Sequence, residues 1–306
     1  MDVFATKTSE EIKQANLNVL NMLSSADGEV ELSDKVTNAI RTRIREEGFL
    51  GRIMERRPTT PAESQVELNE DKIYKVVNIA DESSAATCNL VGELEVRYWK
   101  GKRARIDMWA IKTPRYEKTE EEIVAMDSFI IDDLVKSLHN SIEQAEDARF
   151  IELADAIITG AGYNIPATAT SLIRKDMCAG LNMLSSRELR TNTILMHEFR
   201  KNDILGWDGV EIGQTETSNL FYEGLSRDKI FRDVTWLSSL KPFMNPLYVY
   251  YFAAEEYLGR FYEWLPVKVI VEKKGDKVSF YAKEWIGFGV INTKGLGRLD
   301  ITPVGP

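Results

Sequence analysis

The stretch from Glu93 to Ile158 constrains this chain most, because it does not read as part of a self-contained globular domain. It opens with two alternating segments, Glu93-Leu-Glu-Val-Arg-Tyr-Trp99 and Arg103-Ala-Arg-Ile-Asp-Met-Trp-Ala110, which predict a β-hairpin. A two-stranded hairpin is marginal in water unless its apolar face is covered. An amphipathic helical pattern of about forty residues follows, and a helix of that length would span roughly 60 Å at 1.5 Å per residue. Both elements predict a chain completed by its neighbours.

Register sharpens the deficit. Side chains alternate with period two, so Leu94, Val96 and Tyr98 share a face with Ala104, Ile106 and Met108. Pairing 98 with 104, 96 with 106 and 94 with 108 leaves Lys100-Gly-Lys102 as the loop. On the other face Arg97 then opposes Arg105 and Glu95 opposes Asp107. Directly opposed like charges destabilise a pair, while the diagonals Glu95–Arg105 and Arg97–Asp107 are favourable. The predicted hairpin therefore has a bare apolar face and a poorly paired charged face, and a surface on another subunit would relieve both.

After Pro114, Thr119 and Glu122 form a capping box, the signature of a helix start. Apolar residues recur at Ile123, Met126, Ile130, Leu134, Leu138 and Ile142, then at Phe150, Ile151, Ala154, Ile157 and Ile158, until Gly160 and Gly162 stop the pattern. The first sixty residues predict two helices, broken at Gly28 and ended by Gly48. The polar segment Pro58-Thr-Thr-Pro-Ala-Glu-Ser64 then reads as a linker, so these residues look like an arm attached to a body. Strands are predicted at 73–79, 193–197, 248–252, 267–272, 277–282 and 286–291, with a Lys274-Gly-Asp276 turn and a further helix within 167–186.

Composition excludes several function classes. With 43% hydrophobic and 28% charged residues over 306 positions, the chain can bury a real core. No run approaches the length of a membrane span, and the N-terminus lacks a secretory pattern, which predicts synthesis in a cytoplasm. The net charge of -9 weighs against a protein that grips nucleic acid. The basic cluster Arg41, Arg43, Arg45, Arg52, Arg56 and Arg57 is interleaved with glutamates and reads as a solvated helix face. Cys88 and Cys178 read as reduced, small apolar residues.

Signals for chemistry are absent. His139 and His197 belong to no metal-ligand pattern, and no serine sits in a G-x-S-x-G elbow, so no catalytic, metal or cofactor residue is assigned. Gly287, Gly289, Gly295 and Gly297 have the wrong spacing for a dinucleotide loop and read as turn or strand-crowding glycines. The acid pairs Asp132–Asp133, Glu146–Asp147 and Glu255–Glu256 read as solvated faces. The aromatics of 248–264 read as core or subunit interface, with a ligand pocket of a soluble α/β enzyme as the alternative.

The order of elements resembles that of tailed-bacteriophage major capsid proteins. It runs from a linker through an alternating hairpin and a capped long helix closing on Glu146-Asp147-Ala-Arg-Phe150 to a mixed middle and a glycine-containing last strand. Trp99-Lys-Gly-Lys-Arg103, Met126-Asp-Ser-Phe-Ile-Ile-Asp132, Glu256-Tyr-Leu-Gly-Arg-Phe261 and Glu284-Trp-Ile-Gly-Phe-Gly-Val-Ile-Asn292 carry the resemblance, which spans roughly residues 50–302.

The resemblance implies the α+β tailed-phage capsid fold. Residues 1–65 would be an N-terminal arm and 66–117 an extended loop lying over an adjacent subunit. Residues 118–165 with 263–306 would be a peripheral domain, and 166–262 an axial domain to which the last residues could return. The implied function is a non-enzymatic major capsid protein, made in a bacterial host cytoplasm and resident in the virion. It would assemble with itself into the pentamers and hexamers of an icosahedral shell, enclosing double-stranded DNA without sequence-specific binding. A portal and scaffolding or decoration proteins would be further partners, and no membrane is involved. The inter-subunit contact would run through Glu93, Leu94, Glu95, Val96, Arg97, Tyr98, Trp99, Arg103, Arg105, Ile106 and Met108. An encapsulin-type compartment shell has the same fold and stays open as an alternative. The first sixty residues are too short for the fused scaffolding segment of some relatives, which leads to the expectation of a separate scaffold or none.

Overall fold

A computed structural model describes residues 9–24, 27–67, 72–79, 102–126, 129–207 and 234–301. The capping box forms as the sequence predicts: the Glu122 amide donates to the Thr119 hydroxyl and the Thr119 amide to the Glu122 carboxylate. The helix it starts is short, however. Helix α4 (Glu120–Ala125) ends where Met126 turns extended, and α5 (Ile130–Ala161) begins afresh with 32 residues, about 48 Å long. The expectation of one helix over 119–158 is corrected at this break.

The physical reason comes from another part of the chain. Asn16, on α1 (Ser9–Leu23), donates to the Ile123 carbonyl and accepts from the Ile130 amide. It satisfies one orphan group on each side of the break, which a residue from within the helix would otherwise have to do. At the far end Gly162, at φ +67°, caps α5, and the Tyr163 amide reaches the Ile158 carbonyl.

Helix α2 (Gly28–Glu47) follows α1, so both predicted N-terminal helices are present. They do not stand apart as an arm. Leu32, Val36 and Ile40 are fully buried among Leu138, Ile142, Val269 and Phe280. Thr37 accepts from the Val269 amide, and Ser33 donates to the Val269 carbonyl. Burying each such aliphatic side chain contributes on the order of 1.5–3 kcal/mol. This cover is the reason the helices lie on the body.

Two sheets organise the rest. The first contains β1 (Arg56–Pro58), β2 (Gln65–Val66), β3 (Ile73–Ile79), β4 (Lys102–Lys112), β5 (Tyr116–Thr119), β10 (Gly259–Lys274) and β11 (Lys277–Val290). Its order is β1-β10-β11-β4-β3-β2, with β5 also on β11. Gly275, at φ +64°, makes the predicted β10–β11 turn. The predicted linker segment is held by the parallel pairing of β1 with β10 and a Thr59 amide to Glu263 carbonyl bond.

The second sheet runs β6 (Asn164–Pro166), β12 (Leu296–Asp300), β9 (Tyr248–Ala253), β7 (Thr191–His197) and β8 (Thr235–Ser239). Helix α6 (Arg174–Ser185) packs on it so closely that Gly180 lies against the Tyr251 ring and Gly297 against Met183. Helices α3 (Leu50–Ile53), α7 (Glu198–Leu205) and α8 (Glu255–Leu258) are short connections. Helix α5 joins the two sheets. Its first half packs with α2, β10 and β11, and its second half sets Phe150, Ile151, Ala154 and Ile158 among residues of both sheets.

Candidate inter-subunit surface

Strand β4 leaves the body as it runs back toward its own start. Residues Trp109–Lys112 pair with β11 at Ile286–Lys283, while residues 102–108 pair antiparallel with β3, from Ile79↔Lys102 to Ile73↔Met108. The structure thus gives β4 a partner on one edge that the alternating pattern did not name, strand 73–79. The predicted pairing of β4 with Leu94, Val96 and Tyr98 lies outside the described residues. So do Glu93, Glu95, Arg97 and Trp99.

Four residues of the predicted contact set are described. Ile106 and Met108 are buried in the chain itself, beside Tyr262 and partly buried Ile73, Val77 and Trp264. The expected bare apolar face is therefore corrected at these two positions, because β4 crosses β11 at close range over glycines. A Cβ on Gly287 would lie 2.7 Å from the Asp107 carbonyl oxygen, and one on Gly289 would lie 3.0 Å from Ile106. Arg105 pairs with Glu67 and Asp107 and stacks on Tyr74, with its guanidinium carbon 4.3 Å from the ring centre. Arg103 is exposed. At the outer edge β2 is exposed at both residues, and Val66 keeps 62% of its surface open. An edge strand with an open apolar side chain is a surface suited to another chain.

Where the ribbon meets the body, a buried ionic cluster appears in place of the solvated faces predicted for Glu146–Asp147 and Arg56. Arg56 bonds Glu146 and lies 3.8 Å from Glu284 and 3.9 Å from Glu263. One helical turn along α5, Lys241 bridges Glu143 and Asp147, and His139 lies 3.0 Å from Glu143. Burial pushes the Asp147 carboxyl up despite Lys241. Burial also acts on Glu143, but its bonds to His139 and Lys241 win and hold it below the usual carboxylate range. The Leu50 amide donates to Asp147, so the cluster also fixes α3.

These acids were missed although the pattern carried a signal. Glu284 falls in the alternating series Val278, Phe280, Ala282, Ile286, Phe288, all buried, and period two places it on that face. Glu143, Glu146 and Asp147 lie on the helical stripe of Leu138, Ile142, Phe150 and Ile151. The remaining expectations for polar residues differ less. Asp132 and Asp133 are exposed, His139 is bonded in the core, and the His197 ring accepts from the Phe199 amide as the cap of α7. The 248–252 aromatics are core, with Tyr250, Tyr251 and Phe252 fully buried. Among the described residues no group of three or more acid, histidine or cysteine side chains is arranged to hold a metal, and no helix is long and apolar enough to cross a membrane.

No family model matches the chain, and no curated protein matches it. Solved structures do. A virus-like particle from Pyrococcus furiosus superposes with a TM-score of 0.54 at 14% identity, over 87% of this chain and 98% of that one. A chain of Microbacterium phage Oxtober96 superposes with a TM-score of 0.57 at 11% identity, over 83% and 90%. The capsid of an empty GTA particle superposes with a TM-score of 0.54 at 13% identity, over 83% and 89%. At such identities the likeness is one of fold, and it covers 83–87% of this chain and 89–98% of the others. The chain has the α+β fold of viral and virus-like shell subunits, the tailed-phage capsid fold that the order of its elements resembles.

Proposed function

We propose that the chain is the major capsid protein of a tailed phage, assembling with itself into the pentamers and hexamers of an icosahedral head around double-stranded DNA. The observation that supports this most is the coverage of the fold match to a phage chain, which takes in 83% of this chain and 90% of the Microbacterium phage Oxtober96 chain. In this reading β10 and β11 with α5 form the peripheral domain, β3 and β4 belong to the extended loop, and the second sheet with α6 is the axial domain, to which β12 returns. Residues 66–117 are the extended loop. Residues 1–65 begin as an arm whose helices lie against the peripheral domain.

The contact with a neighbour runs through Glu93–Trp99, Arg103 and Arg105, together with the open edge at Val66, while Ile106 and Met108 hold the loop to its own subunit. Many modest contacts in a closed symmetric array then stabilise the shell. A net charge of -9 suits a container that does not adhere to its cargo. Portal, scaffolding or decoration proteins would complete the head, made in a bacterial cytoplasm and found in the virion.

A second reading, a compartment shell that encloses other cargo, is favoured by the likeness to a virus-like particle. Electron microscopy of the purified protein tests both. Closed shells are expected, and particles that protect nuclease-resistant DNA support the phage head over the compartment. The double variant Val96→Asp/Tyr98→Asp should stay folded and fail to close shells. Persistent monomers or dimers of the wild type under all assembly conditions, or normal shells from the double variant, would overturn this account.

A further inference from the structure

The ionic cluster around Arg56 holds more acid than base. Glu146 on α5 and Glu284 on β11 both lie against the Arg56 guanidinium, the first bonded to it and the second 3.8 Å away, and each acts on the other's ionisation; Glu284 is 0% exposed. Among the described residues neither Glu284 oxygen has a hydrogen-bond donor, and ionised carboxylates only accept, so neither glutamate can supply one to the other. The facing groups come from every element around them. Arg56 approaches from β1, Glu263 from β10 and Asp147 from α5, while β4 sets apolar Ile111 opposite Glu284. Glu143, Lys241 and His139 act one step away, on Asp147 and on each other. Around Arg56 alone, three carboxylates compete for one guanidinium. An interior cannot hold that imbalance without protonating a member.

We propose that Glu146 and Glu284 share one proton at neutral pH, and that this proton latches the segment 56–59 onto α5 and β11. The protonated partner donates the missing hydrogen bond, and the remaining carboxylate pairs with Arg56. Loss of the proton sets two buried charges against each other beneath β1. Two anions hold the Arg56 guanidinium no less tightly, so relief comes from water: opening of the parallel β1–β10 pairing and of the Thr59–Glu263 bond hydrates both carboxylates and lets them ionise. A cleft of about 310 Å³ is lined by Glu146 together with Arg56 and Glu263, and a second of about 270 Å³ by Arg56, Thr59 and Glu263, so water has a route to the pair through Glu146.

Burial, followed by the neighbouring carboxylate, pushes Glu284 well up, and burial also raises Glu146. A raised acid keeps its proton when folded and loses it when unfolded, so the closed state is favoured at low pH and weakens as pH climbs toward the folded value. The device belongs to the folded chain and does not depend on the shell reading.

Hydrogen exchange of the 55–60 peptide in the unassembled full chain, corrected for intrinsic rate between pH 6 and 9, tests the latch. The opening constant should rise up to about tenfold per pH unit in the wild type and stay flat in Glu284→Gln and in Glu146→Gln. A flat wild type, or equal slopes in all three, would overturn the proposal. Infrared spectroscopy of the wild type requires no variant: a protonated carboxyl band should be present at pH 7 and persist for as long as the opening constant keeps rising with pH. Absence of that band at pH 7, or its persistence in both variants, would count against the shared proton.

Discussion

Gly287→Ala tests the close crossing that carries the β3–β4 ribbon over the body. The added Cβ would sit 2.4 Å from the Met108 sulfur and 2.7 Å from the Asp107 carbonyl oxygen. The sulfur ends a flexible side chain and can swing away. The carbonyl belongs to the β4 backbone, and real Cβ contacts essentially never fall below 3.0 Å, so β4 itself must retreat by several tenths of an ångström. That movement loosens Ile106 and Met108 from Tyr262. Overpacking of this kind costs about 1–3 kcal/mol. For a chain of this size the loss corresponds to a fall of roughly 1.5–5 °C in Tm.

Scanning calorimetry on the unassembled chain measures the fall, and hydrogen exchange over 102–108 locates it. Gly160→Ala is the matched control, because nothing lies within 4 Å of the new Cβ and the residue is inside α5. It should be neutral or stabilise by about 0.5–1 kcal/mol. An unchanged Tm in Gly287→Ala, or an equal loss in both variants, refutes the crossing as described.

Two further outcomes are expected. Asn16→Ala strands the Ile123 carbonyl and Ile130 amide at the helix break and should cost about 1–3 kcal/mol in chemical denaturation; a neutral result would show that another group serves the break. Lys241→Met should cost about 3–5 kcal/mol at neutral pH, since Glu143 and Asp147 lose their shared ammonium. Glu143 is held low in the folded state, so its stabilisation is complete above its ordinary value of 4.5 and is lost as pH falls through the folded value. A pH series of unfolding midpoints should therefore show a shallower acid limb in Lys241→Met, and an unchanged limb would remove Glu143 from the account.

The fold was legible wherever one local rule acted on a long enough segment. The capping box at Thr119, the stripe along α5, the turn at Gly275 and the apolar run of β9 all follow from local spacing and residue type, because each is recognisable within a few residues of itself. The Glu143–Asp147 stretch shows where that legibility stops. Local chemistry places acids in water, and a solvated face was the natural reading until Arg56, Lys241 and Glu284 converged on them from segments about 90 to 140 residues away.

The sequence by itself determined the two N-terminal helices, the strands near 73–79, 103–110, 193–197, 248–252 and 267–291, the capped helical stretch and the helix within 167–186, in that order along the chain, and so the resemblance to a capsid subunit. Strands β1, β2, β5, β6, β8 and β12 came only with the structure. Only the tertiary structure decided where the forty-residue pattern breaks, which strand β4 pairs with, that the N-terminal helices lie on the body, and that Ile106 and Met108 serve the subunit itself. Those outcomes depend on groups distant in the chain, Asn16 for the break and the bare Gly287 and Gly289 for the crossing. Periodicity records which face of an element is apolar. It does not record which surface arrives to cover that face.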